Sequence, residues 1–247
     1  MHAPIACWSS WLVRVAHQGL EASAELLWPS RCAGCDAFVP PTTGFCETCQ
    51  VSLLALDGAC PRCALPQLPG QVCQRCPSGW PLARTWSGAQ YGGALVSAIL
   101  RFKHGRLDLG RPLSQFVLAG LRGLGPDVGL VPVPLHGSRL RVRGYNQASE
   151  LARFALRQLE RSERPSWLCD GLTRHRPSRG AGVGGIAARW ARSEGAFSVN
   201  RPDRIRGRPV VLIDDVLTTG ATLVACATTL LEAGAREVSA VTVARAV

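Results

Sequence analysis

The chain has 247 residues, 47% of them hydrophobic, and can therefore bury a sizeable core in one or two domains. No apolar run is as long as a membrane-spanning helix, and the residues before Trp8 lack the cationic and apolar segments of an export signal, so we expect a cytoplasmic protein without a membrane span. The formal charge of +11 comes almost entirely from arginine and predicts anionic partners, either phosphate ligands or nucleic acid.

The N-terminal segment, residues 1–29, predicts an amphipathic helix. Its apolar side chains recur at helical spacing, at Trp8, Trp11, Leu12, Val15 and Leu20. We interpret this helix as a packing element.

Cysteine pairs dominate residues 30–80. Eight of the eleven cysteines form four CxxC pairs: Cys32/Cys35, Cys46/Cys49, Cys60/Cys63 and Cys73/Cys76. Two such turns complete a tetrahedral zinc site, so the spacing predicts a module with two zinc sites. Redox-active dithiols and an iron–sulfur cluster are less favoured alternatives, and disulfides would need an oxidising compartment. Adjacent and alternate pairing of the CxxC turns both remain open.

The cysteine module has a thin apolar core of its own. Its candidate members are Phe38, Phe45, Val51, Leu53 and Leu54, so bound metal would largely hold the module together. A segment rich in proline and glycine, residues 77–86, then predicts a boundary, and a second domain would cover residues 86–247.

The second domain begins with helical patterns and a buried strand. Apolar spacing predicts helices over residues 95–102 and 116–121, a strand over residues 129–133, and a further helix through residues 151–159. The polar loop after the strand contains Leu135, His136, Arg139, Arg143, Asn146 and Gln147. Its arginines suit an anion; His136 is equally compatible with a surface position, and Asn146 with a helix cap.

Residues 174–194 are rich in arginine, glycine and small side chains, which predicts a mobile lid. Residues 210–213 then predict a strand buried on both faces, followed directly by Asp214 and Asp215. The next residues, Val216, Leu217, Thr218, Thr219, Gly220, Ala221 and Thr222, lead into a helical pattern that ends near Gly234.

The strand–loop–helix over residues 210–231 predicts a sugar-phosphate site. Free amides at a helix N-terminus, threonine hydroxyls and a glycine suit a phosphate monoester, while the two carboxylates suit sugar hydroxyls or a metal and its water ligands. A P-loop ATPase also places acidic residues after an apolar strand, but it needs a GxxxxGK lysine. The one lysine here, Lys103, lies in the unrelated context RFKHGR.

The segment DDVLTTGAT closely resembles the phosphoribosyl pyrophosphate (PRPP) signature of type I phosphoribosyltransferases. The segments VPVPLHGSRLRVRGYNQASELAR and FKHGRLDLGRPL, with the cysteine pairs, resemble the ComF family of competence-associated proteins from about Trp28 onward. This resemblance implies an α/β fold, a parallel sheet flanked by helices, after a small zinc module. It also implies that Asp214 and Asp215 hold the ribose as catalytic residues, that residues 216–222 wrap the 5-phosphate, and that the loop over residues 135–147 holds the pyrophosphate.

The function implied by the resemblance is magnesium-dependent transfer of a phosphoribosyl group from PRPP to an unidentified acceptor, in natural transformation. The alternative is a non-catalytic, PRPP-responsive adaptor for single-stranded DNA, with a helicase or recombination mediators as partners. The predicted lid keeps Arg189 and Gly195–Phe197 of the family pattern. It has Ser178, Ala181 and Arg192 where the family has threonine, glutamine and asparagine. These differences leave open whether the protein is catalytic, but they do not affect the expected phosphate binding.

Overall fold

A computed structural model describes residues 29–68, 73, 76, 79–177, 190, 191 and 193–247. The helix predicted for residues 1–29 lies outside them apart from Pro29, as does most of the predicted lid. The described strands are β1 (Thr85–Gln90), β2 (Gly129–Pro132), β3 (Ser166–Trp167), β4 (Leu172–Arg174), β5 (Phe197–Val199), β6 (Pro209–Leu217) and β7 (Glu237–Arg245).

The described helices surround a parallel sheet. They are α1 (Glu47–Val51), α2 (Gly93–Lys103), α3 (Gly110–Leu121), α4 (Gly137–Arg143), α5 (Gln147–Gln158), α6 (Pro202–Ile205) and α7 (Ala221–Glu232), with a short 3₁₀ turn at Leu107–Leu109. Apolar spacing correctly predicts α2, α3, α5 and α7. None of these described helices combines the length and the apolar character that a membrane span requires.

Within the described residues, five parallel strands form one sheet in the order β1-β7-β6-β2-β3, while β4 and β5 pair as a separate antiparallel ribbon. The predicted α/β class is therefore confirmed. The strand predicted over residues 210–213 is longer than expected, since β6 continues through the acidic pair to Leu217. The flanking strands β1 and β7 were not predicted from their sequences.

Strand β6 is buried on both faces, which explains its uninterrupted apolar run. Val211 and Ile213 belong to the core that contains α3 and α5, whereas Val210 and Leu212 belong to the opposite core, with α7. Each fully buried side chain of this kind contributes about 2 kcal/mol to stability relative to exposure. Burial thus fixes the strand and, with it, the position of the residues that follow.

The two halves of the cysteine module pack into different cores. Cys32 and Phe45 of the first half join the core with α3, where the Phe45 ring meets Phe116 edge-on at 6.0 Å between centroids. Cys60 and Leu65 of the second half join the core with α7. Each half therefore uses the sheet domain as its apolar support.

The prediction of a separate module core is wrong for three of its five candidates. Phe38, Val51 and Leu54 are exposed by 67%, 86% and 48%. Only Phe45 is fully buried, and Leu53 is partly buried against the sheet domain. A module this small buries its apolar side chains against a larger neighbour because it has too little volume to enclose them itself.

Candidate functional site

Two loops leave the sheet side by side at its carboxyl edge. In the register of β2 with β6, Pro132 lies opposite Ile213, and the Val133 N–H donates to the Ile213 carbonyl at 2.9 Å. The chain continues from β2 toward β3 on one side and from β6 to β7 on the other. A crevice at such a reversal is where open α/β sheets bind ligands. The segment over residues 133–146, which contains α4, follows β2, and the loop over residues 218–220 follows β6.

The acidic pair lies in β6 directly after the last residue that pairs with β2. The Asp215 N–H donates to Asp214 Oδ1 at 2.8 Å, and Asp215 is only 9% exposed. Burial and the neighbouring Asp215 carboxylate raise the pKa of Asp214 to about 7, although the Asp215 amide, Lys103 and Arg174 oppose this shift. Asp214 therefore exchanges a proton near neutral pH, and a ligand that donates hydrogen bonds to its ionised form would bind with proton release.

Lys103 is a site residue that the sequence analysis missed. It ends α2, and its Nζ lies 2.8 Å from Asp215 Oδ1, with the two side chains 21% and 13% exposed. This largely buried ion pair brings a cation to the acidic pair from a distant part of the chain. The sequence offers one signal for it: a chain that uses arginine for nearly every cation keeps a single lysine at this position.

Arg174 lies close to Asp214 and to Arg139, and Arg139 lies close to Arg143. Burial and the charge of Arg143 lower the pKa of Arg139. Burial also lowers the pKa of Arg174, which lies within the electrostatic influence of Asp214 and Arg139. The Arg174 guanidinium stacks over the Phe197 ring at 5.1 Å from its centroid. Cations that lie close together gain stability from a multiply charged anion, as a pyrophosphate would supply.

Two polar residues of the first loop cap helices. The His136 ring accepts from the Ser138 N–H at 3.3 Å at the start of α4, and its Nδ1 lies 2.7 Å from Ser138 Oγ. Asn146 Oδ1 accepts from the Ala148 N–H at 3.0 Å, and its Nδ2 donates to the Val133 carbonyl at 3.0 Å. The expected capping role of Asn146 is confirmed, and Leu135 directly precedes the His136 cap.

Gln147 is the buried first residue of α5. It is 2% exposed, and its Oε1 accepts from Arg143 Nη1 at 2.9 Å. Its Nε2 is buried without a hydrogen-bond partner among the described residues. The Gln147 side chain also acts on the neighbouring Tyr145 hydroxyl, whose ionised form it stabilises.

The loop that follows β6 leads into the start of α7. Gly220 is the N-cap residue, with a left-handed φ of 84°, and as a glycine it has no side chain that could cap the helix. The Ala221 N–H has only a long contact of 3.4 Å to Thr219 Oγ1. The first-turn amides have no acceptor inside the helix and point toward the loop, a geometry that binds phosphate. Val216 and Leu217 belong to β6, while Thr218 is exposed and Thr222 lies in the first turn of α7.

Two four-cysteine clusters lie among the described residues. The first contains Cys32, Cys35, Cys46 and Cys49, and the second contains Cys60, Cys63, Cys73 and Cys76; the sulfurs of each lie within 4.8 Å of one another. Measured pairs are 3.7 Å apart in the first cluster and 3.6 Å apart in the second. A tetrahedral site with zinc–sulfur bonds of about 2.3 Å needs sulfurs about 3.8 Å apart, so both clusters fit zinc. Adjacent CxxC turns share a cluster, which settles the pairing.

A thiolate is already favoured in the first cluster. Burial opposes ionisation of Cys32, but backbone hydrogen bonds outweigh it and lower the pKa of Cys32 to about 6. One of these bonds comes from the Cys46 N–H, 3.2 Å from the Cys32 sulfur. Amides that point at a sulfur stabilise its charge before metal adds its own.

Known protein families match both parts of the chain. Residues 23–77 match the model of a double zinc ribbon domain, and residues 172–246 match that of a phosphoribosyl transferase domain. Among curated relatives, the DNA utilization protein YhgH of Escherichia coli (strain K12) is 31% identical over 207 residues, which cover 79% of this chain and 87% of the relative. The competence protein ComFC of Bacillus subtilis (strain 168) is 30% identical over 219 residues, 83% of this chain and 85% of the relative.

Two further similarities cover a smaller part of this chain. The uracil phosphoribosyltransferase of Kineococcus radiotolerans is 40% identical over 74 residues, 30% of this chain and 35% of that enzyme. A solved structure of the allosteric regulatory enzyme of purine biosynthesis has a TM-score of 0.34 and 22% identity over 54% of this chain and 25% of that chain. A similarity this low carries no argument.

We expect the purified protein to bind one zinc ion at each cluster, measured by elemental analysis. Cys35→Ser with Cys46→Ser removes ligands of one cluster and should release one zinc, whereas Cys35→Ser with Cys63→Ser should weaken both sites. Cys169→Ser, at an exposed cysteine outside the clusters, is the control and should retain all the metal. Equal zinc loss from the two double variants would contradict the assigned pairing.

We expect Lys103 and Asp215 to be energetically coupled. Lys103→Met leaves a largely buried carboxylate without its cation and should lower the free energy of unfolding by about 3 kcal/mol. Asp215→Asn alone also relieves repulsion with Asp214, so the double-mutant cycle is the decisive measurement; denaturant unfolding should give a coupling energy above about 1 kcal/mol. The more exposed Arg153–Glu150 pair, at 3.0 Å, is the control and should give less than about 0.5 kcal/mol. Equal coupling in both pairs would show that Lys103 is only a surface partner.

Proposed function

Because the chain belongs to the ComF family, with a double zinc ribbon and a phosphoribosyltransferase domain, we propose that it binds PRPP with magnesium in the crevice between β2 and β6. We further propose that it transfers the phosphoribosyl group to an acceptor during DNA uptake or use. One observation supports this proposal: the acidic pair of β6 is followed by the N-terminus of α7, and Arg174 lies within the electrostatic influence of Asp214 and Arg139.

Different residues would bind the ribose, the 5-phosphate and the pyrophosphate of PRPP. Asp214 and Asp215 would accept hydrogen bonds from the ribose hydroxyls, and the amides and hydroxyls of residues 218–222 would bind the 5-phosphate. Arg139, Arg143, Arg174 and the Gln147 amide would face the pyrophosphate. This division leaves the anomeric carbon between the residues that would bind the ribose and those that would bind the pyrophosphate, where an acceptor would approach.

The chemistry requires positioning more than a strong base. The bond from the anomeric carbon to the pyrophosphate oxygen breaks, its electron pair leaves with the pyrophosphate, and the acceptor nucleophile forms the new bond to that carbon. The arginines would stabilise the charge that develops on the leaving group. Magnesium, held by phosphate oxygens with carboxylates nearby, would supply further neutralisation when bound.

A second function, an adaptor for single-stranded DNA, is favoured by the charge and by the names of the relatives. The net charge of +11 attracts a polyanion through counterion release. Helix α4 exposes Arg141 next to Val142, which is 88% exposed, so this surface suits a partner with acidic and apolar groups. We propose competence proteins, such as a helicase or recombination mediators, as partners, and a reducing cytoplasm as the compartment that keeps the zinc thiolates intact.

Calorimetric titration of PRPP with magnesium into the zinc-loaded protein tests the first function. We expect the native protein to bind and Asp214→Asn with Asp215→Asn to bind at least about tenfold more weakly, because the variant loses charge-assisted acceptors for the ribose. Asp170→Asn removes an exposed carboxylate with only long contacts, 3.9 and 4.0 Å, to Arg201 and Arg204, and should bind as the native protein does. Absence of native binding would refute this function.

Binding of a labelled single-stranded oligonucleotide over a range of salt concentrations tests the second function. An adaptor should lose affinity linearly in log–log coordinates as salt rises, since each neutralised phosphate releases counterions. The Asp214→Asn, Asp215→Asn variant should keep this DNA affinity, because the adaptor surface lies outside the crevice. If the protein does not bind the oligonucleotide even at low salt, the adaptor function is excluded.

A further inference from the structure

The first knuckle of the second zinc cluster, Cys60–Cys63, is bonded to the sheet domain through its own backbone. The Pro61 carbonyl accepts from the Thr85 N–H at 2.7 Å. The Arg62 carbonyl accepts from Trp80 Nε1 at 2.8 Å and from Thr85 Oγ1 at 2.6 Å. The knuckle that presents two zinc ligands is therefore also a docking element.

Arg245 continues these contacts from the knuckle to the loop over residues 218–220, which is the phosphate loop of the proposed site. Its Nε donates to the Cys63 carbonyl at 3.0 Å. Its Nη1 donates to the Leu217 carbonyl at 2.9 Å, to the Thr218 carbonyl and to the Ala246 carbonyl at 2.7 Å. Arg245 is 6% exposed. One buried guanidinium thus joins a zinc-ligand residue to the end of β6 and the first residue of the loop.

These bonds fix the direction of the loop amides. In a trans peptide the N–H points opposite to the carbonyl of the same unit. Because Arg245 holds the carbonyls of Leu217 and Thr218, the N–H groups of Thr218 and Thr219 are directed away from Arg245 and the knuckle. Arg245 therefore orients the N–H groups of Thr218 and Thr219 without contacting them, by binding the carbonyls of the same peptide units.

Trp80 fixes the same loop by contact. It is 7% exposed, its indole is anchored to the knuckle carbonyl of Arg62, and its ring covers Gly220. A Cβ on Gly220 would lie 2.4 Å from Trp80 Cη2, so the N-cap of α7 rests directly on this ring. The knuckle thus supports the loop on two sides, through Arg245 and through Trp80.

The first cluster makes different contacts. The Ala33 carbonyl accepts from Arg101 Nη1 at 3.2 Å, and Ser52 Oγ accepts from the Ala94 N–H at 3.0 Å. Both contacts go to α2, and α2 reaches the crevice at Lys103. The two clusters therefore support different elements, and the described contacts to the phosphate loop come from the second.

We propose that Arg245 is a positioning residue that couples the second zinc cluster to the phosphate loop, so that metal at Cys60, Cys63, Cys73 and Cys76 sets the affinity of the loop for a phosphate monoester. This inference rests on the proposed PRPP site. Loss of zinc releases the knuckle, the knuckle releases Arg245 and Trp80, and the amides of residues 218–221 lose their common orientation. Zinc in this cluster then acts on binding as well as on folding.

Arg245→Lys tests the coupling because it keeps the charge but cannot bridge carbonyls on two sides. We expect its affinity for PRPP with magnesium to fall about tenfold or more, since a bridge of several buried hydrogen bonds is lost, while both clusters keep their zinc. Arg164→Lys is the matched control: Arg164 Nε also donates to a carbonyl, that of Leu159 at 3.0 Å, remote from both clusters. It should bind as the native protein does.

Two readouts separate positioning from general destabilisation. With cadmium-113 in both clusters, PRPP should shift the resonance of the second cluster in the native protein and in Arg164→Lys, but not in Arg245→Lys. Hydrogen–deuterium exchange over residues 217–224 should accelerate in Arg245→Lys and in Cys73→Ser, and should stay at the native rate in Arg164→Lys and Cys35→Ser.

The outcomes distinguish the two proposals. If the native protein does not bind PRPP, the proposed function fails, and the exchange experiment alone decides whether the knuckle controls the loop. If the native protein binds and Arg245→Lys shows native affinity and native exchange, the coupling is refuted. Should Arg245→Lys not fold, Trp80→Phe, which removes the Nε1 bond to Arg62 and the indole atoms that cover Gly220, should shift affinity and exchange in the same direction; no shift would also refute the coupling.

Discussion

The parallel pairing of β2 with β6 is the constraint on which the rest of this structure depends. Pro132 lies opposite Ile213, so β2 ends where β6 reaches the acidic pair, and the segment that follows β2 begins beside Asp214. The pairing is fixed because β6 is buried on both faces, and a slip of one residue would turn its apolar side chains to the wrong cores. The acidic pair, the arginine loop and the start of α7 are brought together by this register rather than by contacts among themselves.

The site holds groups of like charge close together in a buried environment, an arrangement that is unfavourable in the free protein. Asp214 has a pKa of about 7 beside Asp215, while Arg139 and Arg174 have lowered pKa values. Burial opposes charge on both the acidic and the basic groups, and each group has a neighbour of like sign. Such a site gains stability when a ligand supplies hydroxyl donors to the carboxylates and oxygens to the guanidinium groups. Lys103 supplies part of this compensation in the free protein.

The two cysteine clusters stabilise the small module, and the module in turn contacts residues of the sheet domain. Its two clusters replace an internal core, and its halves add their few buried side chains to the two cores of the sheet domain. The same arrangement places backbone carbonyls of a metal knuckle against Trp80 and Arg245. A metal module that docks in this way can transmit its own state to the loop behind those residues, which a module joined only by a linker cannot do.

The sequence by itself determined the elements whose signals are local: the apolar run of β6, the acidic pair and the threonine–glycine turn that follow it, the helices α2, α3, α5 and α7, and the four CxxC turns. Each is encoded by spacing within a few residues. Only the tertiary structure decided that Lys103 pairs with Asp215, that adjacent CxxC turns share a cluster, that Phe38 and Val51 are exposed, and that Arg245 joins the zinc knuckle to the loop. These outcomes depend on which distant segments are packed together, because buried charges and carbonyls take whatever partners the packing brings within hydrogen-bonding distance, and no local pattern encodes that choice.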